Sequence, residues 1–269
     1  MARHNEVILY GQVLNKPHIF TDNGKLVRGI LSITVMERPN YNPDGSKSRF
    51  RYDTPIILSL NEEIIKTMSE LKQHDMIMVK GVLCSVRVNK SNYCTNCGGK
   101  NIIEGNAYYV NPLCLFRVEN ISDKGIEENN IKSEIIKGKN NLKERAEISN
   151  EIILIGNLCS NPEYYEENID MINCKYQLAV NRKIRIMEDP DDKKTDYFIV
   201  QTYGNMAKDD FEFLQKGSSV FINGMLRTRN FERTFTCEHC GCKYIGNDNT
   251  TDIIPYSVEY LSNLKTDTN

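Results

Sequence analysis

The sequence predicts an all-β protein built from two copies of one five-stranded barrel. Three observations predict it. The chain repeats itself, each copy carries apolar runs of strand length, and one helical stretch falls at the same place in both copies. The repeat is clearest where "NEVILYGQVLNKP" (5–17) lies against "NEIILIGNLCSNP" (150–162), with six of thirteen positions identical at an offset of 145. Gly81, Cys94, Cys97, Gly98 and Pro112 then match Gly224, Cys237, Cys240, Gly241 and Pro255 at a common offset of 143, so one small gap separates the two blocks.

The elements follow in order. Runs rich in β-branched residues, "EVILYGQV", "RGILSITVME", "DTPIILSL" and "DMIMVKGVL", read as strands of the first copy, and "EIILIGNL", "CKYQLAV", "DYFIVQTYG" and "SSVFINGML" as strands of the second. Between the third and fourth strand lies a helical stretch: "NEEIIKTMSELKQ", with Ile64, Met68 and Leu71 on one face, and "NMAKDDFEFLQKG" in the second copy. Three strands, a helix and two further strands make the order of an OB-fold, a partly open Greek-key barrel. No glycine-rich phosphate loop follows any strand, which argues against a βαβ nucleotide fold. The expected organisation is a first OB-fold over 1–122, a linker over 123–147 and a second OB-fold over 148–269. The linker, "DKGIEENNIKSEIIKGKNNLKERAE", is rich in Lys, Glu and Asn and reads as solvated, with room for a short helix.

Composition narrows the function. With 269 residues, 40% hydrophobic and 26% charged, the chain is expected to be globular with a real core. The opening "MARHNEVILYGQVLNKP" holds no long apolar segment, so neither a signal peptide nor a membrane span is expected, and the expected location is cytoplasmic. In that reducing setting the nine cysteines are not expected to form a disulfide framework. The formal charge of −2 weighs against a purely electrostatic polyanion binder. The four histidines are scattered and no acid–base or nucleophile constellation stands out, so no enzyme is expected.

The segment "DYFIVQTYGNMAKDDFEFLQKGSSVFINGMLRTRNFE" (196–232), together with "NEIILIGNLCSNPE", resembles the bacterial single-stranded DNA-binding protein (SSB) family. The resemblance covers nearly all of the second copy and, more faintly, the first. It implies sequence-independent binding and protection of single-stranded DNA in replication, recombination or repair. It also implies aromatic stacking at positions matching Tyr197, Tyr203 and Phe231. The residues support this themselves. Alternation puts Tyr197, Ile199, Gln201 and Tyr203 on one face, and Phe221, Asn223, Met225, Arg227, Arg229 and Phe231 on one face of the next strand. Two arginines beside an aromatic suit a stacking platform with phosphate contacts. Arg182, Lys183 and Arg185 are expected to add charge from a neighbouring loop.

The first copy departs from this pattern. Positions matching Tyr203, Arg227, Arg229 and Phe231 hold Leu60, Cys84, Val86 and Val88, and Met78, Val82, Cys84, Val86 and Val88 form an apolar row expected to be covered by the cysteine insert, the other copy or a partner. Arg49, Arg51 and Tyr52 remain as candidate contacts, so the second copy is expected to bind more strongly. The family works as four OB-folds, which implies a homodimer here. It usually ends in an acidic tail with an apolar tip, whereas this chain ends "YLSNLKTDTN", which puts recruitment of the usual replication proteins in question; replication or mobile-element proteins stay open as partners, and so does a phage or mobile-element role. Two other readings stand beside it: a protein–protein assembly module that has lost DNA affinity, and a single-stranded RNA binder.

"YCTNCGGK" and "FTCEHCGCKY" place a CxxCG motif in the last hairpin of each copy, as zinc-ribbon-like inserts. A CxxC turn aims two thiolates at one metal, and the glycine admits the positive φ such a turn needs. The simplest expectation is one structural zinc held by Cys94, Cys97, Cys237 and Cys240. Two separate sites, completed by Cys242 or His239 in one copy and Cys114 in the other, are the alternative. A redox pair is disfavoured because neither motif opens a helix.

Overall fold

A computed structural model of the 269-residue chain describes residues 4–39, 50–119, 131–167, 172–182 and 193–265; side chains are described for these except 119 and 131–136. Two OB-folds follow each other. The first consists of β1 (His4–Val13), β2 (His18–Asp22), β3 (Lys25–Met36), β4 (Tyr52–Asp53), β5 (Ile56–Ser59), α1 (Glu62–Ser69), β6 (Met76–Tyr93) and β7 (Lys100–Glu119). After α2 (Ile131–Glu144) and a 3-10 turn come β8 (Asn150–Leu158), β9 (Glu163–Glu166), β10 (Ile172–Asn181), β11 (Thr195–Tyr203), α3 (Gly204–Phe213), β12 (Ser219–Thr236) and β13 (Lys243–Ser262). Each barrel has its parallel closure, β5 with β7 at Ile57 and Val110, and β11 with β13 at Val200 and Ile253. Among the described residues no helix is long and apolar enough to cross a membrane.

The helices form for local reasons. The Asn61 side chain accepts from the Ile64 N–H at 3.1 Å and caps α1, which buries Ile65 and Met68. Ile64, expected on the buried face, is only partly buried beside that core. The short β2 and β9 were not among the expected strands. They are largely exposed, so burial leaves little pattern on them. The signal was Asn23-Gly24, a two-residue turn with φ of 48° and 79° between the paired Asp22 and Lys25.

The two barrels join edge to edge. β1 pairs antiparallel with β8, and Val7 lies opposite Ile152. Those two residues are equivalents in the duplication, so a pseudo-two-fold axis passes between them, and Asn5 opposite Leu154 mirrors Leu9 opposite Asn150. Both Val7 and Ile152 are fully buried in a core running through both copies. One pair of asparagines holds the edges. The Asn5 amide gives to the Leu83 carbonyl and accepts from the Leu83 N–H, both at 2.8 Å. Asn150 does the same to Leu226, at 2.7 and 3.1 Å. Each side chain imitates a peptide group and extends a ladder.

Beyond the barrels, β6–β7 and β12–β13 run on as long two-stranded arms. A bulge bends each arm at its root, where the pairing shifts between Lys80 and Gly81 and between Asn223 and Gly224. A Cβ on Gly81 would sit 2.4 Å from the Asn111 carbonyl oxygen, and one on Gly224 2.5 Å from that of Ile254, so only glycine fits either bend. The arms cross onto the opposite barrels. The first lays Tyr108 edge-on against Phe198, with its hydroxyl accepting from the Ile199 N–H at 2.8 Å. Asp196 accepts from the Ser85 N–H at 2.8 Å, and in the mirror contact Asp53 accepts from the Thr228 N–H at 2.9 Å.

The 123–147 segment departs from a solvated linker where it is described. Leu142 is fully buried and Ala146 nearly so, against Tyr10, Met36 and Met76, so α2 docks on the first barrel. The apolar row of β6 is covered in part: Val82 and Cys84 are buried with Leu60 and Tyr109, while Val86 remains exposed.

The asparagine pair yields a test. Asn5→Ala and Asn150→Ala each leave a buried N–H and C=O unpaired. Each is expected to lower unfolding free energy by about 2–3 kcal/mol in denaturant titration, and near-equal losses would reflect the shared geometry.

Candidate metal centre and nucleic-acid interface

The arms end in matching turns. In the first, the Gly98 N–H gives to the Cys94 carbonyl and the Cys94 N–H to that of Gly99, both at 2.9 Å. In the second, Gly241 gives to Cys237 and Cys237 to Cys242, again at 2.9 Å. Gly98 and Gly241 have φ of 71° and 70°, the left-handed conformation expected at these turns.

The tips meet on the pseudo-two-fold axis. The sulfurs of Cys94 and Cys240 lie 3.8 Å apart, those of Cys97 and Cys237 3.6 Å apart, and all four lie within 4.8 Å of one another. Each pair is the other's equivalent. A tetrahedron of thiolates at ~2.3 Å from a central metal has edges of about 3.8 Å, so the donor set fits one tetrahedral ion. The residues expected to supply separate sites are placed otherwise. His239 Nε2 lies 3.0 Å from the Lys100 carbonyl oxygen, Cys242 takes a hydrogen bond from the Asn96 amide at 3.4 Å, and Cys114 pairs opposite Lys80 at the barrel end of β7. The duplicated CxxCG spacing therefore brings together the four expected cysteines, and these can hold a metal ion.

The surrounding groups favour thiolate at Cys237 and Cys240, whereas at Cys97 the pull of the Gly99 N–H is outweighed by the neighbouring sulfurs and burial, which push the thiol up to about 12. Burial pushes the Cys237 thiol up, but the N–H groups of Cys240 and His239 and the Asn101 amide more than offset it and bring it down to about 6. Asn101 is itself buried. It gives to Cys237 Sγ at 3.6 Å and accepts from the Glu238 N–H at 2.9 Å, so it locks one turn against the other. Phe235 and Tyr244 pack beside Cys94 and Cys237 and close the centre from one side.

The candidate nucleic-acid contacts fall in several places. A groove of about 630 Å³ between the copies is lined by Tyr203, Arg227, Thr228 and Arg229 of the second copy and by Glu37, Arg51, Tyr52 and Asp53 of the first. Tyr203 is 42% exposed there. Tyr197 and Phe231 are exposed as their strand faces predict, at 48% and 42%, but do not line this groove. Arg227 and Arg229 are not free cations. Arg227 grips Glu37 through two bonds of 2.6 and 2.9 Å, and Arg229 binds Asp252 Oδ2 at 2.9 Å and Gln201 Oε1 at 2.7 Å.

Arg182 corrects an expectation. It is 8% exposed and holds Asp196 through bonds of 2.5 and 2.8 Å. It therefore adds no solvent-facing charge, because its guanidinium neutralises the buried carboxylate on which the first arm docks. Lys183, Arg185 and Arg49 lie outside the described residues.

Sequence reasoning missed Glu37 and Asp53. Glu37 occupies the place of Arg182 in the duplication, shown by the matching Glu37–Arg51 and Arg182–Lys194 backbone bonds. Asp53 thus lacks the arginine its counterpart Asp196 has, and its Oδ2 is buried without a hydrogen-bond partner. Burial first, then the neighbouring Glu37 carboxylate, raise Asp53 to about 7 against the pull of the Thr228 N–H and Arg227. A carboxyl raised this way binds its proton more tightly in the folded state. The folded state therefore loses stability as pH rises from about 4 to 7. Asp53→Asn keeps an acceptor for Thr228 and removes that loss. Its unfolding free energy is expected to gain on the wild type by about 4 kcal/mol between pH 4 and pH 8, and parallel pH profiles would count against the assignment.

Comparison with known proteins agrees with this geometry. Residues 149–239 match the Single-strand binding protein family. Single-stranded DNA-binding protein 1 of Streptococcus pyogenes serotype M6 is 31% identical over 84 residues, which take in 31% of this chain and 63% of that protein. The chain thus spans less than two thirds of that relative. Single-stranded DNA-binding protein 1 of Clostridium acetobutylicum is 26% identical over 117 residues, 43% of this chain and 96% of that protein. Two structures of the single-stranded DNA binding protein from Thermus aquaticus share the fold at 17% identity. A deletion mutant superposes with a TM-score of 0.63 over 100% of both chains, and the wild type with 0.59 over 100% of this chain and 98% of its own. Through its second OB-fold, the chain is similar to the single-strand binding protein family, and its fold is that of the Thermus aquaticus structures.

Proposed function

We propose that this protein binds single-stranded DNA without sequence preference and protects it, as a non-catalytic coating protein, and that one structural zinc ties its two arms together. The observation that carries the reading is the groove shared by both copies, where the exposed ring of Tyr203 stands beside Arg227, Arg229 and Arg51. Rings accept any base face, and guanidiniums suit phosphate. Arg227 and Arg229 rest on carboxylates in the free protein, so a phosphate takes the place of Glu37 or Asp252 as the strand seats. That exchange fits a protein of near-neutral charge, because the groove gains binding energy only where a strand supplies both bases and phosphates. Of the sequence-named contacts, Tyr197 and Phe231 are assigned to flanking nucleotides, with Arg49, Lys183 and Arg185 as additional cations. The family resemblance supports two chains per assembly, and a role in replication, recombination or repair follows from coating.

The test is fluorescence anisotropy with oligo-dT, an equal-length RNA and a duplex. Oligo-dT is expected to bind tightest. Tyr203→Ala is expected to lose about 1–3 kcal/mol, whereas Glu37→Gln, which releases Arg227, is expected to tighten binding severalfold. Equal affinity for the duplex would refute the reading.

The metal is tested separately. The purified protein is expected to carry one zinc per chain by elemental analysis. Cys94→Ser or Cys237→Ser should abolish that content, while Cys242→Ser and Cys114→Ser should leave it unchanged. Two zinc ions per chain would instead favour separate local sites.

A further inference from the structure

Helix α2 lies outside both repeats and outside the matched 149–239 segment. Its described C-terminal part is basic: Lys137, Lys139, Lys143 and Arg145 stand against one carboxylate, Glu144, and all four cations are exposed. The helix is nonetheless firmly seated. Leu142 is buried, and Gly138 passes so close to Gln12 that a Cβ there would come within 2.2 Å of the Gln12 amide.

That seating lays two cations on two rings. Lys139 Nζ lies 5.4 Å from the centre of the Tyr52 ring, and Lys143 Nζ 5.0 Å from that of Phe50. Residues four apart share one helix face at about 6 Å, close to the spacing of two residues along an extended segment, so the rungs match. The rings orient the ammonium groups without neutralising them. Neither lysine pairs with a carboxylate among the described residues. Arg227 and Arg229, by contrast, are held by Glu37 and Asp252. Tyr52 also lines the inter-repeat groove, so the two-lysine ladder continues that groove along the first barrel.

We propose that α2 is a phosphate rail of the single-strand path: Lys139 and Lys143 take successive backbone phosphates of a strand that leaves the groove past Arg51 and Tyr52. The inference rests on the single-strand reading above. It makes the inter-repeat segment a binding element rather than a tether, and it extends the path onto the copy whose β6 holds Cys84 and Val86 at the places of Arg227 and Arg229.

The experiment uses the full chain and oligo-dT long enough to exceed the groove, with anisotropy measured from low to moderate salt. The double variant Lys139→Gln/Lys143→Gln removes two charges. Single-strand binding releases about 0.7 counterion per phosphate contact, so the slope of log K against log salt is expected to become shallower by about 1.4, with affinity down roughly tenfold at 0.1 M salt. Lys139→Arg/Lys143→Arg is expected to keep the wild-type slope. Melting curves accompany each variant. An unchanged slope in the glutamine variant, with or without a lowered melting temperature, overturns the proposal while leaving the single-strand reading intact. Failure of the wild type to bind oligo-dT at low salt overturns that reading and the rail with it.

Discussion

The pairing of β1 with β8 is the constraint on which the other features depend. Because Val7 faces its own equivalent, Ile152, the junction is self-complementary, as between two subunits of a dimer. Each feature whose residues both copies retain then occurs twice. The asparagine clamps, the bulged glycines, the Ser85–Asp196 and Thr228–Asp53 bonds and the two cysteine pairs all do so. Only the axis itself can hold a single shared feature, and that is where the four sulfurs meet.

Function enters where the symmetry fails. In the second copy Arg182 neutralises Asp196 from within its own barrel, and Cys84 of the crossing arm brings no charge. In the first copy the acidic Glu37 sits at the Arg182 position, and the cation arrives from the other copy as Arg227 at the place of Cys84. One arginine has in effect moved across the interface. The first exchange leaves a sealed, neutral contact. The second leaves a groove with two carboxylates, three arginines and an exposed tyrosine, of which Asp53 is incompletely satisfied. A duplicated scaffold thus carries one closed and one open version of the same docking contact, and the proposed strand path uses the open one.

What the sequence revealed follows from which interactions leave a local pattern. Strand alternation placed Tyr197, Tyr203, Arg227, Arg229 and Phe231 on solvent faces, and the structure exposes the three rings. CxxCG repeated in register was enough to name the four clustered cysteines, because a turn that aims two thiols needs a fixed spacing. The burial of Arg182 left no such trace: its partner Asp196 is fourteen residues away across a hairpin, and a basic run before a strand looks like an exposed loop. Docking of α2 was hidden by composition, since Leu142 and Ala146 are a sparse apolar stripe in a lysine-rich segment. The Arg227–Glu37 pair spans 190 residues and depends on an arm crossing between barrels, a geometry no local pattern encodes.

The same geometry bounds what a metal at the axis would do. A four-cysteine ion would cross-link turns about 140 residues apart, and closing so long a loop would stabilise an unconstrained chain by several kcal/mol. Here most of that closure already exists, because β1–β8 pairing and the two carboxylate contacts hold the arm roots. The added constraint falls on the tips, where Asn101, Phe235 and Tyr244 are the main packed side chains. Removing the ion would therefore loosen the arms well before the barrels. Phe231 and the outer part of β12 lie on one of those arms, whereas Tyr203 stands at a barrel edge. A metal there would govern how far the proposed strand contact extends along the arm, and the groove at its root would keep its shape without it.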